Sequence, residues 1–281
     1  MLPMRRNLTV VNNWRPLMAA LFAALLAGCA TISPPPPPIA GDDKVLLDYT
    51  CRLEDGAILA TTSRADAFAD GTQLSHAFMP TKAYAAIPIT AGAERRLPAP
   101  PDILPLMPEI AYQVSHQLTG QTYEETHAMT VGAEAIEGLS DMARFIQFAR
   151  TMQRPKQRSV PKEQFVANTG QEPSAGQVLF PDQVMQWQVI AVKEDTVEVR
   201  YLIEDGKKVM MHYGEAVVRD RGDHYDFEID VRLGGLVRVG PYIGRISKID
   251  DRLFTVDFDH PFGGRELACE VTAHPLEQDT E

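Results

Sequence analysis

The chain has 281 residues, of which 44% are hydrophobic and 23% charged, and its formal net charge at pH 7 is −11. This length and composition are typical of a globular protein with one good core and room for a second, smaller one. The acidic balance argues against nucleic acid and anionic lipid headgroups as partners, because both would be repelled.

The first 28 residues have the pattern of a signal peptide. Arg5, Arg6 and Arg15 precede or border an apolar run from residue 17 to residue 28. Because a transmembrane helix needs about 20 apolar residues, this shorter run predicts a cleaved signal and not an anchor helix. Cleavage removes three arginines, so the formal net charge falls from −11 to −14.

Cys29 follows Leu-Ala-Gly at the end of that run, and the sequence resembles the lipobox of bacterial lipoproteins. The resemblance implies that Cys29 carries lipid and binds the protein to a membrane; the alternative is an unlipidated signal with a chance cysteine. In the linker, residues 29–43, the prolines from 34 to 38 predict a stiff polyproline spacer. No aspartate follows Cys29 to favour inner-membrane retention, so we expect the cell envelope, at the periplasmic face of the outer membrane.

Residues 44–138 are predicted to form several short elements. Strand-like sequence lies on both sides of an acidic turn at residues 54–56, and prolines make residues 64–108 rich in loops. The predicted elements are a hairpin (44–62), a short strand (87–91), a helix (109–118) and a strand (125–131).

Residues 139–259 are predicted to be mostly β, after one helix that begins near Ser140 and ends at Pro155. Five apolar residues recur there at helical spacing: Met142, Phe145, Ile146, Ala149 and Met152. We interpret this stripe as core, with a substrate-binding face as the alternative.

Two segments of this region repeat each other. Residues 189–201 align with residues 246–258 at a constant offset of 57, and each reads as strand, acidic turn and strand. A duplication is one explanation, and the shared pattern of any two hairpins is the other. The second segment leads into His260-Pro261 and Gly263-Gly264, which predicts a last hairpin over residues 255–272.

Several stretches resemble the SlyD-type FKBP peptidyl-prolyl isomerases. Residues 45–62, with Tyr-Thr and Leu-Glu-Asp-Gly, are similar to the opening hairpin of that family, and residues 255–272, with Asp-His-Pro-Phe-Gly-Gly, are similar to its closing hairpin. Residues 118–135 resemble the approach to the flap. Residues 158–165 resemble the start of the insert that this family carries in the flap.

The resemblance implies an α+β fold, in which an FKBP-like antiparallel sheet wraps on a short helix. Its two parts would be residues 44–138 and residues 260–275, interrupted by a mostly β, substrate-binding insert at residues 139–259. Residues 276–281 would form a tail. The implied activity is isomerisation of X-Pro bonds in unfolded chains, together with a chaperone function of the insert.

Transferring the family's pocket gives five wall positions: Tyr49, Leu59, Ile136, Phe262 and Cys269. Only some keep an aromatic side chain, and Ala60 stands where the family has an aspartate. Isomerisation needs an apolar pocket that desolvates and twists the amide. We therefore expect weak or absent isomerase activity, although the family is one of enzymes.

Cys51 and Cys269 are the two cysteines left beside Cys29, and they form either one disulfide or two buried thiols. The resemblance makes the first and last strands neighbours, which implies a Cys51–Cys269 disulfide across the floor of the pocket. The seven histidines never fall at metal-ligand spacing, so no metal or other cofactor is expected.

Two functions remain open. The first is an envelope folding factor that acts on unfolded or proline-containing chains, in which Met185, Met210 and Met211 either grip substrate or belong to a core. The alternative is an inactive FKBP scaffold that binds one dedicated protein partner in an envelope complex.

Overall fold

The structure, a computed structural model, describes residues 37–93, 101–180 and 186–276. The predicted signal peptide, Cys29, the first part of the proline run and Met185 lie outside the described residues, as do residues 277–281 of the predicted tail. Among the described residues, no helix is both long and apolar enough to cross a membrane.

The described elements alternate between short strands and a few helices. The strands are β1 (Lys44–Arg52), β2 (Ile58–Thr61), β3 (Leu74–Met79), β4 (Ile87–Thr90), β5 (Thr126–Val131), β6 (Phe145–Ala149), β7 (Thr151–Pro155), β8 (Gln157–Pro161), β9 (Val178–Leu179), β10 (Gln186–Val192), β11 (Thr196–Leu202), β12 (Lys208–Met211), β13 (Gly214–Asp220), β14 (His224–Ile229), β15 (Leu236–Val239), β16 (Tyr242–Ile249), β17 (Leu253–Asp257) and β18 (Leu267–Pro275). The helices are α1 (Arg64–Phe68), α2 (Leu106–Leu118), α3 (Asp141–Arg144) and α4 (Lys162–Thr169).

Six strands from the two ends of the chain form one sheet, in the order β3-β2-β1-β18-β5 with β4 beside β1. All its pairs are antiparallel except that of β2 with β3. Successive side chains of a strand point to opposite faces, and Val45, Leu47, Tyr49 and Cys51 of β1 are accordingly buried on one face. This face lies on the first hydrophobic core.

Helix α2 packs on the same core. Leu106, Ile110, Val114 and Leu118 are buried and recur every fourth residue, which places them on one side of the helix. The helix starts after Pro105, whose fixed backbone angle suits a helix start. The predicted helix over residues 109–118 is thus present, one turn longer at its beginning.

Three four-stranded sheets follow, and all three are connected in the same way. Each takes one strand from the consecutive strands β6, β7 and β8 and three from a later meander, which gives the orders β6-β17-β16-β15, β7-β14-β13-β12 and β8-β11-β10-β9. The second hydrophobic core contains residues from all three meanders, including Val199, Phe227 and Val256.

Backbone hydrogen bonds repeat with this arrangement. The amides of Tyr201, Ile229 and Phe258 donate to the carbonyl oxygens of residues 156, 150 and 144, respectively. The donors are 28 and then 29 residues apart, and the acceptors are six residues apart. The 57-residue offset in the sequence therefore joins the first and third of three structural repeats.

The first and third repeats also share an irregularity. The register of β10 on β11 shifts between Val189 and Ala191, and that of β16 on β17 shifts between Ile246 and Lys248. These positions differ by the same 57 residues. The pairing of β13 with β14 shows no such shift. The sequence of the middle repeat therefore does not align with the other two at a constant offset.

The predicted fold class is wrong. Of the described residues 45% are in strands and 13% in helices, with several small antiparallel sheets, and this is not an α+β fold of FKBP type built on a helix. The physical reason lies in the second core, to which the three extra sheets contribute most of the buried side chains.

The predicted helix over residues 140–154 is also wrong. Only α3 is helical, and the rest of the segment forms β6 and β7. Ile146, Phe148 and Met152 occupy alternate positions along the two strands and pack on the second core. Of the predicted helical stripe only Ile146 and Met152 keep a place against the core, whereas Met142, Phe145 and Ala149 are exposed. Pairing with β17 and β14 favours the strands.

The predicted closing hairpin is replaced by a connection between two sheets. Strand β17 pairs with β16 and β6, whereas β18 pairs with β1 and β5. Between them Gly263 adopts φ +62°, and a Cβ there would collide with a methyl group of Leu236. The glycine is therefore required both for the turn and for its close approach to β15.

Candidate functional site

The predicted pocket residues lie mostly inside the first core. Tyr49, Leu59, Phe262 and Cys269 belong to this core, and each is at most 2% exposed. Ile136 is half-buried outside both cores, and its amide donates to the carbonyl oxygen of Asp259 at 2.7 Å. The structure thus brings four of the five together, but as packed interior and not as the wall of a cavity.

Tyr49 shows how completely this interior is filled. Its hydroxyl donates to Sδ of Met107 in helix α2 at 3.3 Å, and burial raises the pKa of the phenol. The hydroxyl therefore stays protonated and is directed at a core neighbour. It offers no group to a substrate.

Cys51 and Cys269 form a disulfide in the structure. The two residues are direct partners in the register of β1 on β18, their Cα atoms are 4.1 Å apart, and both are buried. The bond joins strands that are 218 residues apart in the chain. It is a cross-strand link within the six-stranded sheet.

A groove of about 1010 Å³ lies elsewhere, where the six-stranded sheet faces two of the other sheets. We call it the strand-edge groove, because Leu74 to His76 of β3, Met210 of β12 and Leu236 of β15 contribute to its walls. Each of these strands is the last one of its sheet. The turn between β1 and β2 and residues 264–268 complete it.

The apolar part of the groove combines buried and exposed side chains. Leu236 and Leu267 are buried, whereas Leu74 is 39% and Met210 60% exposed. Exposed apolar side chains around a concave floor are typical of a binding site. Of the residues that line the groove, the sequence suggests a binding role for Met210 alone.

Strand β3 is incompletely paired along the groove. Its register with β2 contains only Leu74 and Met79, so residues 75–78 have no Cα partner there. Strand β15 lies beside β3, but no register pair joins the two among the described strands. Instead, Nε2 of His76 donates to the carbonyl oxygen of Leu236 at 2.8 Å.

The charged side chains around the groove, which we call its rim, are mainly negative. Glu54, Asp55 and Glu266 line it and are exposed, and Arg265 is the one lysine or arginine among its lining residues. The guanidinium of Arg265 donates to the carbonyl oxygen of Gly234 at 3.1 Å. No ion pair links Glu54 or Glu266 to another residue in the described ranges.

An ionic cluster fixes the connection from β17 to β18. Arg144 makes two hydrogen bonds of 2.9 Å to the buried carboxylate of Asp257 and lies 2.8 Å from Asp259. Burial alone would raise the pKa of Asp257, but the bonds and charge of Arg144 outweigh it and keep that pKa below its ordinary value. The cluster has a structural role, since both carboxylates point at arginine.

The described residues contain no group of three or more histidine, cysteine, aspartate or glutamate side chains placed to hold a metal ion. In comparisons with known proteins, no family model matches the chain and no curated protein matches it. The resemblance to the SlyD-type FKBPs therefore rests on the sequence motifs alone.

Proposed function

We propose that this protein is an envelope lipoprotein that binds an extended segment of another protein chain in the strand-edge groove. The observation that carries the proposal is the meeting of β3, β12 and β15 around one groove with an apolar floor. An outer strand presents backbone N–H and C=O groups to an added strand, and an extended peptide gains affinity by pairing with them.

The side chains of such a segment alternate in direction, so every second one points into the groove. Leu74, Leu236 and Met210 give apolar contacts for those side chains. The remaining side chains face the rim and solvent. This arrangement favours binding of many sequences with a common alternating pattern, as in a chaperone, over recognition of one small molecule.

The predicted lipid on Cys29 would set the location of the protein in the cell. A lipidated chain behind a stiff proline spacer would hold the groove near the membrane surface, where envelope proteins arrive unfolded. The proposal does not extend to proline isomerisation, because four of the five residues transferred from the isomerase pocket are packed in the first core.

The test is binding of a fluorescein-labelled nine-residue peptide, with leucine and serine at alternate positions, to the full-length protein in detergent. We expect its fluorescence anisotropy to rise on binding and Met210→Arg to weaken binding about tenfold or more, because an apolar contact is replaced by a charge. Met142→Arg is the matched control, since Met142 is 89% exposed and lies outside the groove. Equal affinities of the two variants would refute the groove as the binding site.

A second measurement separates binding from catalysis. In a protease-coupled assay of a proline tetrapeptide, we expect the protein to leave the uncatalysed rate of cis–trans exchange unchanged. Turnover of ordinary FKBP magnitude would show that a substrate reaches Tyr49 after all.

A further inference from the structure

We propose that the segment bound in the strand-edge groove is basic, and that it pairs with β3 at residues 75–78 in place of the contact between His76 and Leu236. This inference rests on the function proposed above and specifies its ligand. It is carried by two features of the groove, its charge and the outer edge of β3, the last strand of its sheet.

The rim of the groove carries more negative than positive charge. Three carboxylates, those of Glu54, Asp55 and Glu266, face one guanidinium, that of Arg265. Asp55 accepts a hydrogen bond from the amide of Ala57 at 3.0 Å, within its own turn. Glu54 and Glu266 have no ion-pair partner in the described part of the chain, so lysine or arginine side chains of a ligand would supply one.

The side chains that meet the rim are set by strand geometry. In an extended ligand with apolar residues directed to Leu236 and Met210, the intervening residues point the opposite way, toward solvent and the rim. Basic residues at every second position would therefore approach the carboxylates while the apolar ones fill the groove. A ligand with acidic residues at those positions would be repelled.

Strand β3 supplies the second feature, an outer edge that no other described strand pairs with. Residues 75–78 bulge between the two register pairs with β2, and β15 approaches them without forming a ladder. The bond from His76 to the carbonyl oxygen of Leu236 spans this gap. An incoming strand that bonded to β3 would displace that single side-chain contact and leave the ladders within the sheets intact.

The experiment uses three labelled nine-residue peptides at nanomolar concentration, each with leucine at alternate positions and serine, lysine or glutamate between. With the full-length protein in detergent at low salt, we expect the lysine peptide to bind about tenfold or more tightly than the glutamate peptide. The ratio should approach one at 0.5 M salt, because screening removes interactions between exposed charges.

The double variant Glu54→Gln, Glu266→Gln should reduce the preference for lysine to about threefold or less and leave the affinity for the serine peptide unchanged. Both side chains are exposed, so folding is preserved. The control is Glu204→Gln, Glu270→Gln, which removes two exposed carboxylates outside the groove and should retain the full preference.

Backbone pairing is tested with lysine peptides N-methylated at alternate amides, in two versions that block opposite edges of the strand. We expect one version to lose about tenfold or more in affinity. If both versions bind like the unmodified peptide, pairing with β3 is refuted.

The outcomes distinguish the two proposals. If the serine, lysine and glutamate peptides bind equally and Met210→Arg weakens all three, the groove binds chains but the basic preference is refuted. If none of the three changes anisotropy, the proposed function itself is wrong.

Discussion

Removal of the disulfide between Cys51 and Cys269 is the change for which we expect the largest loss of unfolding free energy. The two residues are 218 positions apart, and in the chain-entropy description a loop of this length gives about 5 kcal/mol of stabilisation at 25 °C. Native disulfides usually contribute about 2–4 kcal/mol. We therefore expect the double variant Cys51→Ala, Cys269→Ala to lose about 3–5 kcal/mol of unfolding free energy.

The assay is urea unfolding followed by tryptophan fluorescence. The midpoint should fall, and the slope of the unfolding free energy against urea should rise, because an uncrosslinked unfolded chain exposes more surface. Wild-type protein kept in reductant should behave like the double variant, which controls for the small cavities left by alanine. A loss below about 1 kcal/mol with an unchanged slope would refute the reasoning.

Two further predictions concern ionic contacts. Burial lowers the pKa of His274, but hydrogen bonds and charges of Glu124 and Asp48 raise it more. The stabilisation by His274 is therefore full below about pH 6.5 and is lost as the pH rises through the higher pKa of the folded state. His274→Gln should cost more unfolding free energy at pH 6 than at pH 9, and equal losses would contradict this. Arg144→Ala should cost about 2–4 kcal/mol of unfolding free energy in the same urea assay, because Asp257 is left buried without its bidentate partner. Adding Asp257→Asn should restore part of this loss, whereas additive losses would contradict the pairing.

The sequence predicted elements well where one local signal was decisive. The strand-like sequence around the turn at residues 54–56 corresponds to β1 and β2. Residues 125–131 form β5 almost to the residue. In the first case the acidic turn and the strand-like sequence on both sides of it indicate the same elements.

The sequence failed where pairing with distant strands decides. Residues 145–155 carry an apolar pattern that fits a helix, and only the meanders far along the chain make β6 and β7 strands. The middle repeat escaped detection because β13 and β14 lack the register shift of the other two. The strand-edge groove has no local signature, since its walls come from separate sheets.

The consecutive strands β6, β7 and β8 give the chain a nested order of assembly. Val160 pairs with Val197, Arg154 with Tyr225 and Phe148 with Phe254, so the three closures span 37, 71 and 106 residues. Shorter loops close at lower entropic cost and sooner, and we expect the sheets to form from the innermost outward.

The six-stranded sheet closes over a still longer stretch of chain, because β1 precedes the three smaller sheets, β18 follows them, and the two strands pair. Because a chain is synthesised from its amino end, the edge of β1 that pairs with β18 stays unpaired until residues 267–275 have been made. Until then Cys51 also lacks Cys269, its disulfide partner. Because its pairing with β18 comes so late, β1 is the strand most in need of protection while the protein is made.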